Sequence, residues 1–370
     1  MLIPLIDADE QCGAKAANLA HLLRAGFAVP PGVVVLEVLS GDSWVPELRA
    51  ALRDAGAAPV AVRSSAVGED GAVASFAGQL HSTLDLTEPA QVIDQVRRAA
   101  RSGVGPEAVA YAARMGHEPA TVVPVIVQAL VAAEVAGVMF TRHPVTGSQT
   151  MVIEAGRGLG GNVVDGTMTP WVWTVEDHTI THQAGDLFPP LIPRQVLQLA
   201  ALALRIEALF GCPQDIEWAI ADGTTWVLQS RPITASPITA SPVATIPGAA
   251  RSDGRAAGRV LATGTPASPG AAEGFVRIVH GFDDFARFQA GEVLVCRTTS
   301  PAWTPLLARA AAVVTEIGGL LAHAAIVARE FGIPAVLTAE KAMSALTDGQ
   351  HVVVDGTAGT ITTTQGSGER

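Results

Sequence analysis

Apolar residues recur at helical spacing near the start of the chain. In AKAANLAHLLRAGF, residues 14–27, Leu19, Leu22 and Leu23 fall on one face, which predicts an amphipathic helix. Short apolar runs then predict buried strands: PPGVVVL, PVAVRSS, TVVPVIVQALV, AGVMFTRHP and TMVIEAG. DIEWAIADGTTWVLQSRP predicts a hairpin, because two alternating stretches flank an Asp-Gly pair suited to a tight turn. Toward the C-terminus GFVRIVH, EVLVCR, AAVVTE, HVVVDG and GTITT read as strands with two or three helices between them. Both parts of the chain are therefore α/β or α+β.

The periodic pattern fails from Ile233 to Gly258. This stretch is rich in Pro, Ser, Thr, Ala and Gly, and ITASP occurs twice in tandem. Such composition predicts an exposed, semi-rigid linker, and at ~3.1 Å per residue it could reach across several tens of ångströms. The expected organisation is a first domain over residues 1–234, a linker over 235–262 and a second domain over 263–370.

Hydrophobic residues make up 49% of the 370-residue chain and charged residues 16%, which suits large cores and argues against disorder. A net charge of −11 gives no general field for phosphate backbones, so no nucleic-acid partner is expected. Any phosphate must be held by a few placed cations. Cys12, Cys212 and Cys296 form no CxxC pair, so neither a disulfide framework nor a zinc site is expected. The opening MLIPLIDADEQCG lacks the basic and apolar regions of a signal peptide, and no apolar run reaches the ~18 residues of a membrane span. These features predict a reduced, cytoplasmic protein without a membrane partner.

Three patterns that could signal known chemistry do not hold up. EAGRGLGG carries G-x-G-x-x-G at Gly156, Gly158 and Gly161, but the following NVVDGTMTPWVW is a poor helix, unlike a dinucleotide fold. A glycine loop beside a ligand remains a reasonable reading. No Walker loop is present. His178 and His182 stand four apart without the glutamate that a zinc-protease helix requires.

The remaining candidates are scattered. Lys15 opens the first helix after Gly13, Arg63 closes an apolar strand, and Arg231 closes the hairpin. Each alone reads as a surface charge, although Arg63 follows a run that looks buried and would then need an anionic partner. Glu217 and Gln229 lie about equally far from the hairpin turn. They read either as a cross-strand polar pair or as two oxygen ligands of Mg²⁺. His323 follows Gly318 and Gly319 and opens an alanine-rich run. By itself it reads as a core histidine at a helix start.

Taken together, GAKAANLAHLLRAGFAVPPG, VAVRSSAVGEDGAVASFAGQ, AGVMFTRHP, IEAGRGLGG and PQDIEWAIADGTTWVLQSRPIT resemble the nucleotide-binding domain of one family. It is the phosphoenolpyruvate synthase, pyruvate phosphate dikinase and rifampin phosphotransferase family. GTPASPGAAEGFVRIV and the His323 motif resemble its mobile phosphohistidine domain. The resemblance implies an ATP-grasp domain joined to a small swivelling α/β domain. It implies ATP and Mg²⁺ as cofactors, with Lys15, Arg63 and Arg231 on the triphosphate and Glu217 and Gln229 on the metal. Gln128 and Leu130 would lie near the adenine, and Gly156, Gly158, Gly318 and Gly319 would be loop contacts. His323 would be the residue phosphorylated. A helix N-terminus with two preceding glycines suits that role, since free N–H groups stabilise a phosphate and glycine leaves room for it.

The sequence departs from the family pattern in three ways. Ala322 stands where the family has Ser or Thr, and Gly161 replaces an acid in the glycine loop. The family's third, acceptor-binding domain is not expected here, because the linker runs straight from one domain to the other. The expected function is a dikinase-type phosphotransferase that passes phosphoryl groups from ATP, through His323, to a small-molecule acceptor. Two other readings stay open: one subunit of a split enzyme with the acceptor domain on a separate protein, or a non-catalytic nucleotide-sensing relic.

Overall fold

The computed structural model describes residues 1–56, 58–66, 82–116, 123–159, 170–184, 188–233, 259–320 and 322–364. Most of the expected linker, residues 235–258, lies outside them, as does Gly161.

Three sheets organise these residues. The first is antiparallel throughout and contains β1 (Leu2–Pro4), β2 (Gly32–Val35), β3 (Val60–Ser64), β4 (Ser82–Leu86) and β5 (Val125–Ala129), ordered β1-β2-β5-β3-β4. Helices α2 (Trp44–Asp54) and α3 (Pro89–Arg101) cover one of its faces, burying Trp44, Leu48, Val92, Ile93 and Val96 against Val60 and Val62. The second sheet is also antiparallel. It contains β6 (Val135–Phe140), β7 (Met151–Arg157), β8 (Trp171–Glu176), β9 (Thr179–Ala184), β10 (Gln214–Ala221) and β11 (Thr224–Pro232), ordered β11-β10-β6-β7-β8-β9.

The second sheet is buried on both faces, and the alternation of its side chains divides them. Met139, Ile153, Trp173, Ile216 and Trp218 point toward helices α1 (Ala14–Arg24) and α5 (Pro193–Phe210). Leu19 and Leu22 of α1 are buried there and Leu23 packs at the margin, so the face expected from sequence is the one used. Val138, Phe140 and Val152 point the other way, into a core shared with the second half of the chain.

That half is built on an eight-stranded sheet: β12 (Val260–Thr263), β13 (Thr265–Ser268), β14 (Ala271–Val279), β15 (Val293–Cys296), β16 (Ala312–Thr315), β17 (Ala335–Leu337), β18 (His351–Asp355) and β19 (Thr360–Thr363). Strands β14 to β17 form its parallel centre, and the others pair antiparallel. Parallel pairing requires crossovers. Short helix α6 (Thr304–Leu307) lies in the connection between β15 and β16, and α7 (His323–Phe331) in that between β16 and β17.

One sequence-based boundary is corrected. Val260 to Ala262, assigned to the linker, belong to β12, and Arg259 already exchanges hydrogen bonds with Thr363. Strand β12 is short and borders a polar, glycine-rich stretch, so composition alone hides it. Among the described residues no helix is long and apolar enough to cross a membrane.

Candidate active site

The hairpin of β10 and β11 turns at Asp222 and Gly223, both with positive φ (50° and 72°), as the Asp-Gly pair predicts. From that turn the strands pair Ala221 with Thr224 and continue to Trp218 with Val227. Simple counting would then place Leu228 opposite Glu217. Instead the register shifts, Leu228 is the extra residue of a bulge, and Gln229 faces Glu217. The bulge thus sets the two oxygen-bearing side chains side by side.

Arg63 of β3 meets both. Its Nη2 donates to Glu217 Oε2 at 2.9 Å and to Gln229 Oε1 at 2.6 Å, and its Nη1 donates to the Leu228 carbonyl at 2.7 Å. The anionic partner expected for Arg63 is therefore Glu217. Three contacts from one guanidinium tie the first sheet to the second. Next to Arg63 on the same strand, the Ser64 carbonyl accepts from the Lys15 ammonium at 3.1 Å, and Lys15 is buried. Gly13 makes this approach possible. Its φ is 82°, and a Cβ there would lie 1.9 Å from the Ser65 carbonyl oxygen.

Gln128 lies on β5, opposite Ala61 of β3. It is buried, with its Nε2 donating to the Pro30 carbonyl at 2.8 Å. Leu130 follows β5, and its N–H donates to the Pro59 carbonyl at 2.9 Å. Gln128 therefore belongs to the first sheet, beside the strand of Arg63, and Leu130 lies just past the end of β5.

Arg231 lies two residues beyond Gln229. Its Nε and Nη2 both reach Asp215 Oδ2 at 2.9 Å, in a buried pair that the sequence reading did not single out. Burial raises the Asp215 pKa, while Arg231 pulls it down. Arg329 of α7 acts on the same carboxylate from the other half of the chain. Burial lowers its own pKa to about 10.

His323 is the first residue of α7 and is 6% exposed. Both ring nitrogens are engaged: Nδ1 lies 2.9 Å from Thr299 Oγ1 and Nε2 lies 3.2 Å from Thr304 Oγ1. The Thr304 hydroxyl also donates to the Pro301 carbonyl at 2.8 Å. With that hydrogen committed, Thr304 accepts from Nε2–H, and bare Nδ1 accepts from Thr299. Burial lowers the His323 pKa to about 3, so the ring is neutral near pH 7. Thr299 and Thr304 were not identified from sequence, although both stand in the short polar stretch TTSPAWTP between two apolar strands.

The sheet register relates His323 to the Arg63 cluster. Gln229, Glu217, Val138 and Glu154 are successive cross-strand partners on β11, β10, β6 and β7, and so share one face. Glu154 lies two strands from Glu217, about 10 Å at the usual strand spacing. Its Oε1 accepts from Leu320 N–H at 2.9 Å, just before His323. The second half of the chain is thus seated on the face that carries Glu217 and Gln229.

The loop glycines divide. Gly318 has a φ of 137°, which explains a glycine there. Gly319, expected to leave room for a phosphate, gives its space to Glu154: an added Cβ would lie 2.6 Å from Glu154 Oε2. Gly156 pairs with Ala136 inside the second sheet. Gly158 follows with a φ of 82°, and its N–H donates to the Glu134 carbonyl. Glu154 itself was missed from sequence, although an acid inside the apolar run MVIEAG was the available signal.

Known proteins resemble both halves of the chain in sequence. Residues 43–187 and 181–246 match the AMP/ATP-binding domain of pyruvate phosphate dikinase, and residues 288–359 match the mobile domain of PEP-utilising enzymes. A probable phosphoenolpyruvate synthase of Archaeoglobus fulgidus is 36% identical over 82% of this chain and 43% of its own length. One from Methanothermobacter thermautotrophicus is 35% identical over 94% of this chain and 61% of its own length. The chain thus spans about half the length of the curated relatives it matches. Among solved structures, a D-alanine–D-alanine ligase from Coxiella burnetii is 9% identical and covers 60% of this chain and 48% of its own, with a TM-score of 0.33.

Proposed function

The chain belongs to the family of PEP-utilising dikinases that includes pyruvate phosphate dikinase and phosphoenolpyruvate synthase, and from that premise we propose that it is an ATP-dependent phosphotransferase working through a phosphohistidine at His323. The observation that carries this reading is the seating of the His323 loop on the sheet face that bears Glu217 and Gln229, the two residues that Arg63 contacts. A nucleophile and a set of phosphate-neutralising groups must meet for phosphoryl transfer, which depends mainly on positioning and charge.

ATP binds between the first two sheets, with Lys15, Arg63 and Arg231 neutralising its phosphates and Gln128 and Leu130 beside the adenine. Glu217 and Gln229 suit Mg²⁺, because their hard oxygen atoms already converge on one cationic nitrogen of Arg63. Bound there, the ion would draw charge from the phosphate oxygens. Neutral His323 attacks the β-phosphorus. A bond from a ring nitrogen to that phosphorus forms, the bond to the oxygen bridging to the α-phosphate breaks, and AMP leaves. Water then takes the terminal phosphoryl group as inorganic phosphate, leaving phosphohistidine. If Nε2 attacks, the proton must first cross to Nδ1, with Thr299 and Thr304 exchanging donor and acceptor roles. Their hydroxyls can serve either way.

The phosphohistidine then moves, on the linker of residues 234–258, to a small-molecule acceptor. This takes place in the cytoplasm, the compartment expected from the cysteine content. Incubation with ATP labelled at the β-position should leave acid-labile label on the protein and none on His323→Ala. Label that persists in the variant overturns the assignment. Turnover with candidate acceptors, first alone and then with a separate acceptor-domain protein, tells whether this chain holds the acceptor site.

A further inference from the structure

Strand β7 is buried from Met151 to Gly156, and all its residues there except Glu154 are apolar or glycine. Glu154 is 1% exposed. Its sheet neighbour Val138 packs into the apolar core shared by the two halves of the chain. An acid at this position is costly to desolvate, so its contacts identify what retains it. Besides accepting from Leu320 N–H, the carboxylate lies flush against the backbone of Gly319. A Cβ on Gly319 would stand 2.6 Å from Oε2, 3.0 Å from Oε1 and 3.0 Å from the carboxyl carbon. Between these residues and the histidine, Ala322 N–H donates to the Gly319 carbonyl at 3.0 Å, closing the turn that enters α7. The carboxylate therefore grips the turn that sets the position of His323.

We propose that Glu154 is the positioning residue that seats the His323 loop on the nucleotide-binding sheet, and that residue 319 is a glycine so that this carboxylate can reach Leu320 N–H. The inference rests on the phosphocarrier role proposed for His323. Apolar contacts of Val138, Phe140, Val145 and Val152 hold the two halves together but carry no direction. A hydrogen bond to a carboxylate has a defined geometry and so fixes the register of the loop. It is also reversible. On undocking, both carboxylate and amide return to water, and their hydration offsets most of the bond that is lost. A phosphocarrier that must leave after each transfer needs a seat of this kind.

Four variants test the seat: Glu154→Ala, Glu154→Gln, Gly319→Ala and the double Gly319→Ala/Glu154→Ala. Two measurements are made on each: hydrogen exchange at the Leu320 amide without nucleotide, and single-turnover transfer from β-labelled ATP to His323. Calorimetric nucleotide affinity checks that the ATP site remains folded. Gly319→Ala should slow transfer by about 100-fold with little change in affinity, since misplacement by an ångström has that cost. Glu154→Ala should slow it less, by ~10-fold, because the loop loses a bond without meeting a clash. Glu154→Gln keeps an acceptor oxygen and should be milder still.

The double variant is the decisive arm. Removing the carboxylate makes room for the new Cβ, so it should transfer faster than Gly319→Ala alone and approach Glu154→Ala. Leu320 exchange should be faster in both single Ala variants. A double variant no faster than Gly319→Ala, or Leu320 exchange unchanged in Glu154→Ala, overturns the proposal. If the unsubstituted protein transfers nothing to His323 while Leu320 exchange responds as described, the seat stands and the phosphocarrier reading falls.

Discussion

The hydroxyl of Tyr111 donates to Glu330 Oε2 at 2.7 Å, joining helix α4 (Pro106–Met115) to helix α7 across 219 residues of chain. The Tyr111 ring also lies 5.5 Å from Phe331, and the Arg114 guanidinium stands 5.9 Å over Phe331 from the same helix. Helix α4 is therefore a second point at which the His323 half is held. Tyr111→Phe should retain the fold and lose one hydrogen bond to a charged group, worth about 1.5–3 kcal/mol. We expect faster amide exchange in α4 and a melting temperature lower by a few degrees. Unchanged exchange would mean that apolar contacts alone hold this helix.

The depressed pKa of His323 makes stability depend on pH. Below its ordinary pKa of 6.5 the unfolded chain takes up a proton that the folded protein refuses until about pH 3. The unfolded state therefore binds more protons in this window, and stability falls as pH falls from about 6.5 toward 3. The slope should approach ~1.4 kcal/mol per pH unit in the middle of the window. Chemical denaturation of wild type and His323→Gln between pH 4 and 8 isolates it. Parallel stability curves would mean that the ring is accessible to protons in the folded protein.

Arg63 and Glu217 share one cluster, so removing either should disable the same step. Arg63→Ala takes away a cation that faces both Glu217 and Gln229, and Glu217→Ala removes the anionic member. Loss of one charge-stabilising group commonly lowers a rate by 10²–10³-fold, and a loss of that order is expected for labelling of His323. Thermal melting should confirm folded variants. Near-normal labelling in both would place the nucleotide elsewhere.

Gly13→Ala should damage the nucleotide site through the backbone. The φ of 82° disfavours any side chain, and the new Cβ would press on the Ser65 carbonyl. Ala16 N–H, which donates to Ser65 Oγ at 3.0 Å, and the Lys15 contact to Ser64 depend on the same approach. Destabilisation of a few kcal/mol and weaker ATP binding are expected, measured by thermal melting and calorimetry. Wild-type affinity would show that the start of α1 can move away from β3 without cost.

The sequence by itself determined the elements whose cause is local. Helical spacing set the buried face of α1, Asp-Gly set the turn of the β10–β11 hairpin, and apolar runs set most strands of the three sheets. The family motifs carried the identity of the nucleotide-binding and mobile domains, since their order along the chain needs no contacts to be read. The local pattern failed at β12, where a short strand borders a stretch of linker-like composition.

Tertiary structure decided which side chains meet. Counting from the turn places Leu228 opposite Glu217. The bulge that brings Gln229 there coincides with the contact of Leu228 and Gln229 with Arg63, 165 and 166 residues away. Glu154 gains its meaning from a loop 166 residues distant, and Gly319 owes its lack of a side chain to that same carboxylate. Thr299 and Thr304 reach His323 because β15 and β16 pair in parallel, bringing the segment after β15 beside the start of α7. Such contacts follow from the packing of sheets and from the balance between burying a polar group and pairing it. A local window of sequence contains only one member of each pair.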